Sequence, residues 1–272
     1  MMLKRLLLAC VVTASGAGCG KHETSAPHAT VSLDVRGEGT REIRAAAFVD
    51  GWSVRYDRFW LAPTFGVDET RDNRKDDGYE PIVGPEGYVY GGQELELTEQ
   101  GVTEVMSSWT IAGRSTGWGM RLRQVPTARD GTGSSLEVAG TATGPDAEVV
   151  GFAWRFTNEV LFSHCVPAGQ SVLVLPQDEK LELHVVLDGK ALYRSELPAE
   201  AELRFEALAL ADADGDGTVT TAELQETAVD GTPGIANLHQ LLSARLGGLV
   251  TSEHHCEVEV PRADGTAERT RK

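Results

Sequence analysis

The residues best placed to do chemistry lie in one short stretch, Asp212 to Glu223, which reads DADGDGTVTTAE. Carboxylates stand at its first, third and fifth positions as Asp212, Asp214 and Asp216, and at its twelfth as Glu223. Calcium is a hard cation that takes about six to eight oxygen ligands in a loose shell. Alternating aspartates at the start of a tight loop aim several carboxylates at one centre. Gly217, in the sixth position, allows the sharp turn that a residue with a Cβ resists. Thr218, in the seventh, offers its backbone carbonyl. Thr220, in the ninth, acts directly or through a water, and Glu223 closes the shell with both carboxylate oxygens. Val219, in the eighth, is apolar, as a short strand inside such a loop requires. The competing reading is a solvated acidic turn. Three aspartates around one glycine repel each other without a cation, which favours the ion.

The stretch fits D-x-[DN]-x-[DN]-G-x5-E at every constrained position, and on those residues it resembles the EF-hand family. The resemblance implies a Ca2+ cofactor held by Asp212, Asp214, Asp216, Thr218, Thr220 and Glu223. It also implies an entering helix within Leu203 to Ala211 and an exiting one from Thr221 to Thr227. Such hands usually come in pairs. The segment Asp68 to Asp77 (DETRDNRKDD) has the charge without the spacing, and Asp130 to Glu137 (DGTGSSLE) lacks both the aspartates and the glycine position. The hand therefore reads as single. A lone hand suits a stabilising site of extracellular-type affinity, roughly 0.1–1 mM, better than a cooperative switch.

Cysteine offers the second chemistry. Cys165 and Cys256 are the two thiols in the region expected to fold, about ninety residues apart. In an exported chain they most simply form a disulfide. Closing so long a loop stabilises a fold by about 4 kcal/mol in the chain-entropy account. A sharper alternative is a zinc or copper site, because His164 precedes Cys165 and His254 and His255 precede Cys256. As thiolates the pair could share such an ion with these histidines, and with His184.

The N-terminus reads as an address. Met1 to Arg5 is short and basic, Leu6 to Ala14 is apolar, and Ser15 to Cys19 reads SGAGC. Small residues followed by cysteine at this distance resemble a bacterial lipoprotein signal. The resemblance implies cleavage before Cys19, lipidation of Cys19, and a location in the cell envelope, on the outer membrane or a periplasmic face. Gly16 stands three before the cysteine, where such signals usually carry leucine. An ordinary secretory signal is the other reading. Gly20 to Ala29 (GKHETSAPHA) is polar and reads as a flexible tether, its His22 and His28 solvated.

The 272-residue chain is 41% apolar, enough for a core, and its formal net charge is −16. That charge argues against nucleic acid and against anionic membrane faces as partners. Beyond Thr30 the pattern is one of strands. Thr30 to Arg36 (TVSLDVR) alternates apolar and polar residues. The Asp50-Gly51 pair stands as a hairpin turn between IRAAAFV and WSVRYDRFWL. Further strands are expected at Leu95–Leu97, Val105–Ala112, Trp118–Val125, Ser135–Thr143, Val149–Phe156, Val160–Val166, Ser171–Leu175 and Leu181–Leu187. An Asp188-Gly189 hairpin into Ala191–Arg194 would follow. Many short strands with regular turn signals predict a mainly β, antiparallel sandwich-like domain over residues 30–197. A small helical segment carrying the calcium loop would occupy 198–260, and residues 261–272 would be a disordered tail. Within 198–260, Ile235 to Leu246 has helical apolar spacing and Gly247-Gly248 as a stop.

Gly66 to Gly92, with Tyr79, Tyr88 and Tyr90, is a long connection and a candidate partner surface. Of the five tryptophans, Trp52, Trp60, Trp109 and Trp154 read as core. Trp118, between two glycines, reads as the exposed one. No G-x-S-x-G, H-E-x-x-H, phosphate loop or C-x-x-C is present. The expected function is thus a non-enzymatic, calcium-binding envelope lipoprotein whose ion stabilises the fold or a binding surface. The alternatives are a copper or zinc protein built on Cys165 and Cys256, and a secreted glycan-binding or glycan-hydrolysing protein.

Overall fold

Alternation along a strand sends successive side chains to opposite faces. In the first strand this buries Val31, Leu33 and Val35 and leaves Thr30 and Arg36 exposed. The computed structural model describes residues 28–68, 94–98, 101–111, 113–115, 117–126, 133–194, 202–229, 234–251, 254–261 and 267–271. In chain order the strands are β1 (His28–Glu38), β2 (Glu42–Ile43), β3 (Ser53–Leu61), β4 (Pro63–Asp68), β5 (Leu95–Glu96), β6 (Val102–Ile111), β7 (Gly113–Ser115), β8 (Gly117–Leu122), β9 (Val125–Pro126), β10 (Gly133–Ser134), β11 (Leu136–Thr143), β12 (Val149–Phe156), β13 (Val160–Pro167), β14 (Leu173–Leu175) and β15 (Lys180–Asp188). The C-terminal part adds α1 (Glu206–Ala209), β16 (Thr218–Thr220), α2 (Thr221–Glu226), α3 (Leu238–Arg245), β17 (His254–Pro261) and β18 (Ala267–Arg271).

Three main sheets result. The first has the order β15-β1-β6, the second β16-β12-β11-β3-β2 with β5 also on β3, and the third β18-β17-β13-β8-β4. The protein is mainly β, as its alternating pattern dictates, and most neighbours are antiparallel. Among the described strands two pairs are parallel: β1 with β15, and β12 with β16. One contiguous apolar core takes Leu33 and Val185 from the first sheet, Phe59, Val138 and Trp154 from the second, and Trp118, Phe162 and Val258 from the third.

The C-terminal segment is woven into these sheets. β16 extends the second sheet, and β17 pairs with β13 in the third. Residues expected to be a disordered tail supply β18, which pairs with β17 from Pro261↔Ala267 to Glu257↔Arg271. A second strand lying alongside gives their backbone groups partners, which the polar composition alone did not reveal.

Other elements also depart from the sequence pattern. Trp118 is fully buried, because its neighbouring glycines sit on the packed strand β8. A Cβ at Gly117 would fall 2.6 Å from the Cys165 carbonyl, so that glycine permits close strand packing and does not mark exposure. Trp52, Trp60 and Trp154 are buried as expected, while the side chain of Trp109 lies outside the described residues. The Asp188-Gly189 pair opens no hairpin. The Asp188 carboxylate accepts from the Lys190 N–H and caps a 3-10 turn, Gly189–Tyr193. The Asp50-Gly51 turn does join two strands, but β2 is only Glu42–Ile43, and Ala45–Ala47 coil into a 3-10 turn. The entering helix is a single turn, because Leu203 instead bridges to Phe48 and Arg194. The later helix starts at Leu238, capped by Asn237, and ends in a 3-10 turn at Leu246–Gly248. The expected leader, Cys19, most of the tether, and residues 69–92 of the long connection lie outside the described residues.

Candidate metal centre

The acidic loop is held from three sides before any ion is considered. On its N-terminal side, Asp50 of the remote turn accepts from the N–H groups of Phe205 and Glu206, at 2.7 and 2.9 Å. A carboxylate there satisfies donors that a helix start leaves open. Phe205 itself is buried against Trp52, Phe152, Trp154 and Tyr193. In the middle, β16 lies parallel to β12 in the register Gly151↔Thr218, Phe152↔Val219 and Ala153↔Thr220. Val219 is fully buried, and its carbonyl accepts from the indole Nε1 of Trp154 at 3.1 Å. On the C-terminal side, the Arg155 N–H donates to the Thr221 hydroxyl at 2.9 Å.

Within this frame the loop folds its acceptors inward. Gly217, at φ +85°, and Gly215, at φ +72°, adopt the left-handed conformation that L side chains resist. The Asp212 carboxylate accepts from Gly215 N–H and Gly217 N–H at 3.0 and 2.9 Å. Asp214 accepts from the Asp216 N–H at 3.0 Å, and Asp216 from the Thr218 N–H at 2.7 Å. Each aspartate is thereby fixed in direction by its own loop. One oxygen from each of Asp212, Asp214 and Asp216 lies within 4.8 Å of the others. Three hard donors so close suit a hard cation such as Ca2+, and each carboxylate oxygen keeps acceptor capacity beyond one amide bond.

Glu223 has a second task. Its Oε1 accepts from the Ala213 N–H at 2.9 Å, and its Oε2 from the Thr220 N–H and hydroxyl at 2.7 and 2.9 Å. The Thr220 hydroxyl in turn accepts from the Glu223 N–H at 3.3 Å, which completes a capping box on α2. These bonds, the Thr220 amide foremost and then its hydroxyl, hold the Glu223 carboxyl below the ordinary glutamate range. Glu223 is 8% exposed. It ties the last turn of the loop to Ala213 at the loop's start. The three aspartates suit a hard cation by donor chemistry, whereas Glu223 stands outside their cluster with its oxygens bonded to Ala213 and Thr220.

The cysteine constellation resolves differently. Cys165 on β13 and Cys256 on β17 form a disulfide, both buried. Each sulfur is bonded to the other, so neither is a thiolate for zinc or copper. The flanking histidines also disperse. His164 lies 3.4 Å from the Glu257 carboxylate, His254 packs edge-on against Trp118, and His255 is exposed. His184 stands on β15 opposite Asp34, 3.6 Å from its carboxylate.

Sequence reasoning missed the loop's supports. Asp50 was legible as a turn residue and Trp154 as core, but their bonds to Phe205 and Val219 span 155 and 65 residues. No local signal announces such partners. It also missed a cluster on the outer face of the second sheet, where Glu137 pairs with Arg58 and Arg155. The register sets Glu137 opposite Arg155 on β12, and that register is not legible from either strand alone. No protein-family model, no curated protein and no solved structure matches the chain.

Proposed function

We propose that the chain is a non-enzymatic, calcium-binding lipoprotein of the bacterial cell envelope. Ca2+ binds at Asp212, Asp214, Asp216, Thr218, Thr220 and Glu223 as in a single EF-hand. The observation that carries this reading is the convergence of three amide-oriented aspartate oxygens within 4.8 Å, in a loop whose own strand is paired to β12. An unpaired hand needs cover for its apolar residue, and the sheet edge provides it by burying Val219. The ion offsets the repulsion among the aspartates and so fixes β16 and α2 on the second sheet.

The envelope location rests on the leader-like start and on Cys19 as the lipidated residue. Labelling cells with a tagged fatty acid tests it: wild type takes up label and Cys19→Ser does not. The partner classes considered beyond the ion and the membrane anchor are a protein or a glycan, not nucleic acid.

Calorimetry on the chain from Gly20 tests the calcium site. One site in wild type, lost in Asp212→Ala, is the expected result. No heat up to several millimolar calcium, at or above the roughly millimolar range of extracellular modules, overturns the reading.

A further inference from the structure

Among the described residues aspartate precedes glycine at Asp50-Gly51, Asp188-Gly189, Asp214-Gly215 and Asp216-Gly217. Such a pair carries its own covalent chemistry. The glycine amide nitrogen attacks the aspartate Cγ. The carboxyl, in its acid form, gives up its hydroxyl, which leaves as water with the amide hydrogen, and a five-membered succinimide closes. Water then reopens the ring at either carbonyl. Opening at the main-chain carbonyl leaves isoaspartate, whose backbone runs through the side chain with an added methylene and unchanged mass. Glycine favours the attack because no Cβ shields its nitrogen or restricts its turn. The step also needs an accessible carboxyl and a peptide free to rotate.

The fold withholds those conditions from the first two pairs. The Asp50 carboxylate is turned to the Phe205 and Glu206 N–H groups, and the Gly51 N–H donates to the Phe48 carbonyl at 3.3 Å. Asp188 is buried and paired with Arg194. A Cβ at Gly189 would fall 2.5 Å from the Gly39 carbonyl, so that peptide has no room to turn. In the acidic loop both carboxylates are exposed and fold back over the glycine that follows. Asp214 reaches the Asp216 N–H and Asp216 the Thr218 N–H. Their peptides are not equally free. The Gly217 carbonyl accepts from the Gly151 N–H at 2.8 Å, where β16 joins β12. Gly215 is exposed, at φ +72°, with nothing within 4 Å of where a Cβ would stand. Its N–H donates to the Asp212 carboxylate at 3.0 Å.

We infer that Asp214 is a modification site: the folded chain isomerises there through attack by the Gly215 nitrogen, and Asp212 sets the rate by holding that nitrogen's hydrogen. Asp212 is a positioning residue in this step, since it touches the attacking amide and not the carboxyl that reacts. The chemistry belongs to the chain itself and proceeds with or without an ion. Under the proposed function it has a consequence: the added methylene displaces the carboxylate in the third position, so a loop that has aged in this way no longer binds calcium.

The test uses the full chain in detergent, held in chelator at physiological temperature over weeks. Cleavage after glutamate releases Ala207–Glu223. Isoaspartate is located in it by chromatographic separation at unchanged mass and by electron-transfer fragmentation, and the other pairs are followed in their own peptides. The expected result is accumulation at 214 ahead of 216, 50 and 188. Asp214→Glu, whose longer side chain closes no five-membered ring, shows none at 214. Asp212→Ala raises the rate at 214 by about tenfold or more, the size of a lost hydrogen bond to a charged group, and raises 216 less. Asp212→Asn, which keeps a side-chain acceptor, falls between Asp212→Ala and wild type. The inference is overturned if 216, 50 or 188 leads in wild type, or if 214 stays unmodified while the free peptide of the same sequence isomerises. An unchanged rate at 214 in Asp212→Ala overturns it too, as does an equal rise at 214 and 216, which is the mark of a loop that has merely come apart.

Discussion

The strand Thr218–Thr220 lies on the edge of the second sheet, carried by a loop whose aspartates at 214 and 216 are exposed. About forty residues later Cys256 is covalently bonded to Cys165 inside the third sheet, where both are buried. The two junctions fasten the same C-terminal segment to the β region. At the disulfide, apolar packing around Trp118, Phe162 and Val258 accompanies a bond that needs no solute. At the loop, the buried Val219 and the pairing of β16 with β12 are joined by carboxylates that accept from nearby amides, so under the proposed function the strength depends on what neutralises those carboxylates. The difference separates a permanent clamp from a conditional one: the second rests on carboxylates, whose charge depends on pH and, under the proposed function, on calcium.

Removing the permanent clamp gives the largest expected effect. The bond closes a sequence separation of 91 residues. The chain-entropy account assigns a closure of this size about 4 kcal/mol. Replacing both cysteines, Cys165→Ser with Cys256→Ser, therefore lowers the melting temperature by about 10 °C in a chain of this length. The drop is the same in calcium and in chelator, because the two junctions share no partner. A drop that appears only in chelator would break the comparison, since the disulfide would then act through the loop.

The conditional clamp is next in size. An ion at ten times its dissociation constant stabilises the folded state by about 1.4 kcal/mol. Calcium at that level raises the melting temperature of wild type by a few degrees. Asp212→Ala and Glu223→Ala melt in calcium at their chelator temperatures. Wild type that melts equally in calcium and chelator would reduce the loop to a polar turn.

A smaller change separates the loop's backbone frame from its ion. The Thr220 hydroxyl caps α2 by accepting from the Glu223 N–H. Thr220→Ala costs about 1 kcal/mol through loss of the cap. That loss is present in chelator, where the ion contributes nothing. A Thr220→Ala cost confined to calcium would assign the hydroxyl to the ion and not to the helix.

The two junctions also differ in how far the sequence announced them. Asp212, Asp214, Asp216, Gly217 and Glu223 are within twelve residues, and their interactions are local, so their spacing carries their geometry. The strands β11, β12 and β13 were legible because alternation is local too. What was hidden depends on register and on remote pairing. Asp50 capping the segment before the loop, and β16 joining β12 in parallel, are products of the tertiary fold. Trp118 misled because glycine neighbours mark either a turn or a close strand contact, and only the packing of β8 on β13 decides. The polar tail misled because backbone pairing to β17 does not depend on apolar side chains.

The smallest expected effect tests whether the conditional clamp answers to protons as well as to calcium. The Thr220 amide and hydroxyl, with the Ala213 and Asp214 amides, hold the Glu223 carboxyl below its ordinary value of 4.5 in the folded protein. A lowered folded value means that the unfolded chain binds the proton more readily. The stabilisation is therefore complete above pH 4.5 and is lost as pH falls through the folded value. Urea unfolding in chelator, followed from about pH 6 to about pH 3, shows a gap between wild type and Glu223→Gln that narrows on the acid side. Calcium competes with protons for the same carboxylates, so adding it moves the wild-type loss to lower pH and leaves Glu223→Gln nearly unchanged. A gap that stays constant across the range would mean that Glu223 fastens the loop by shape alone, with its charge contributing nothing to the clamp.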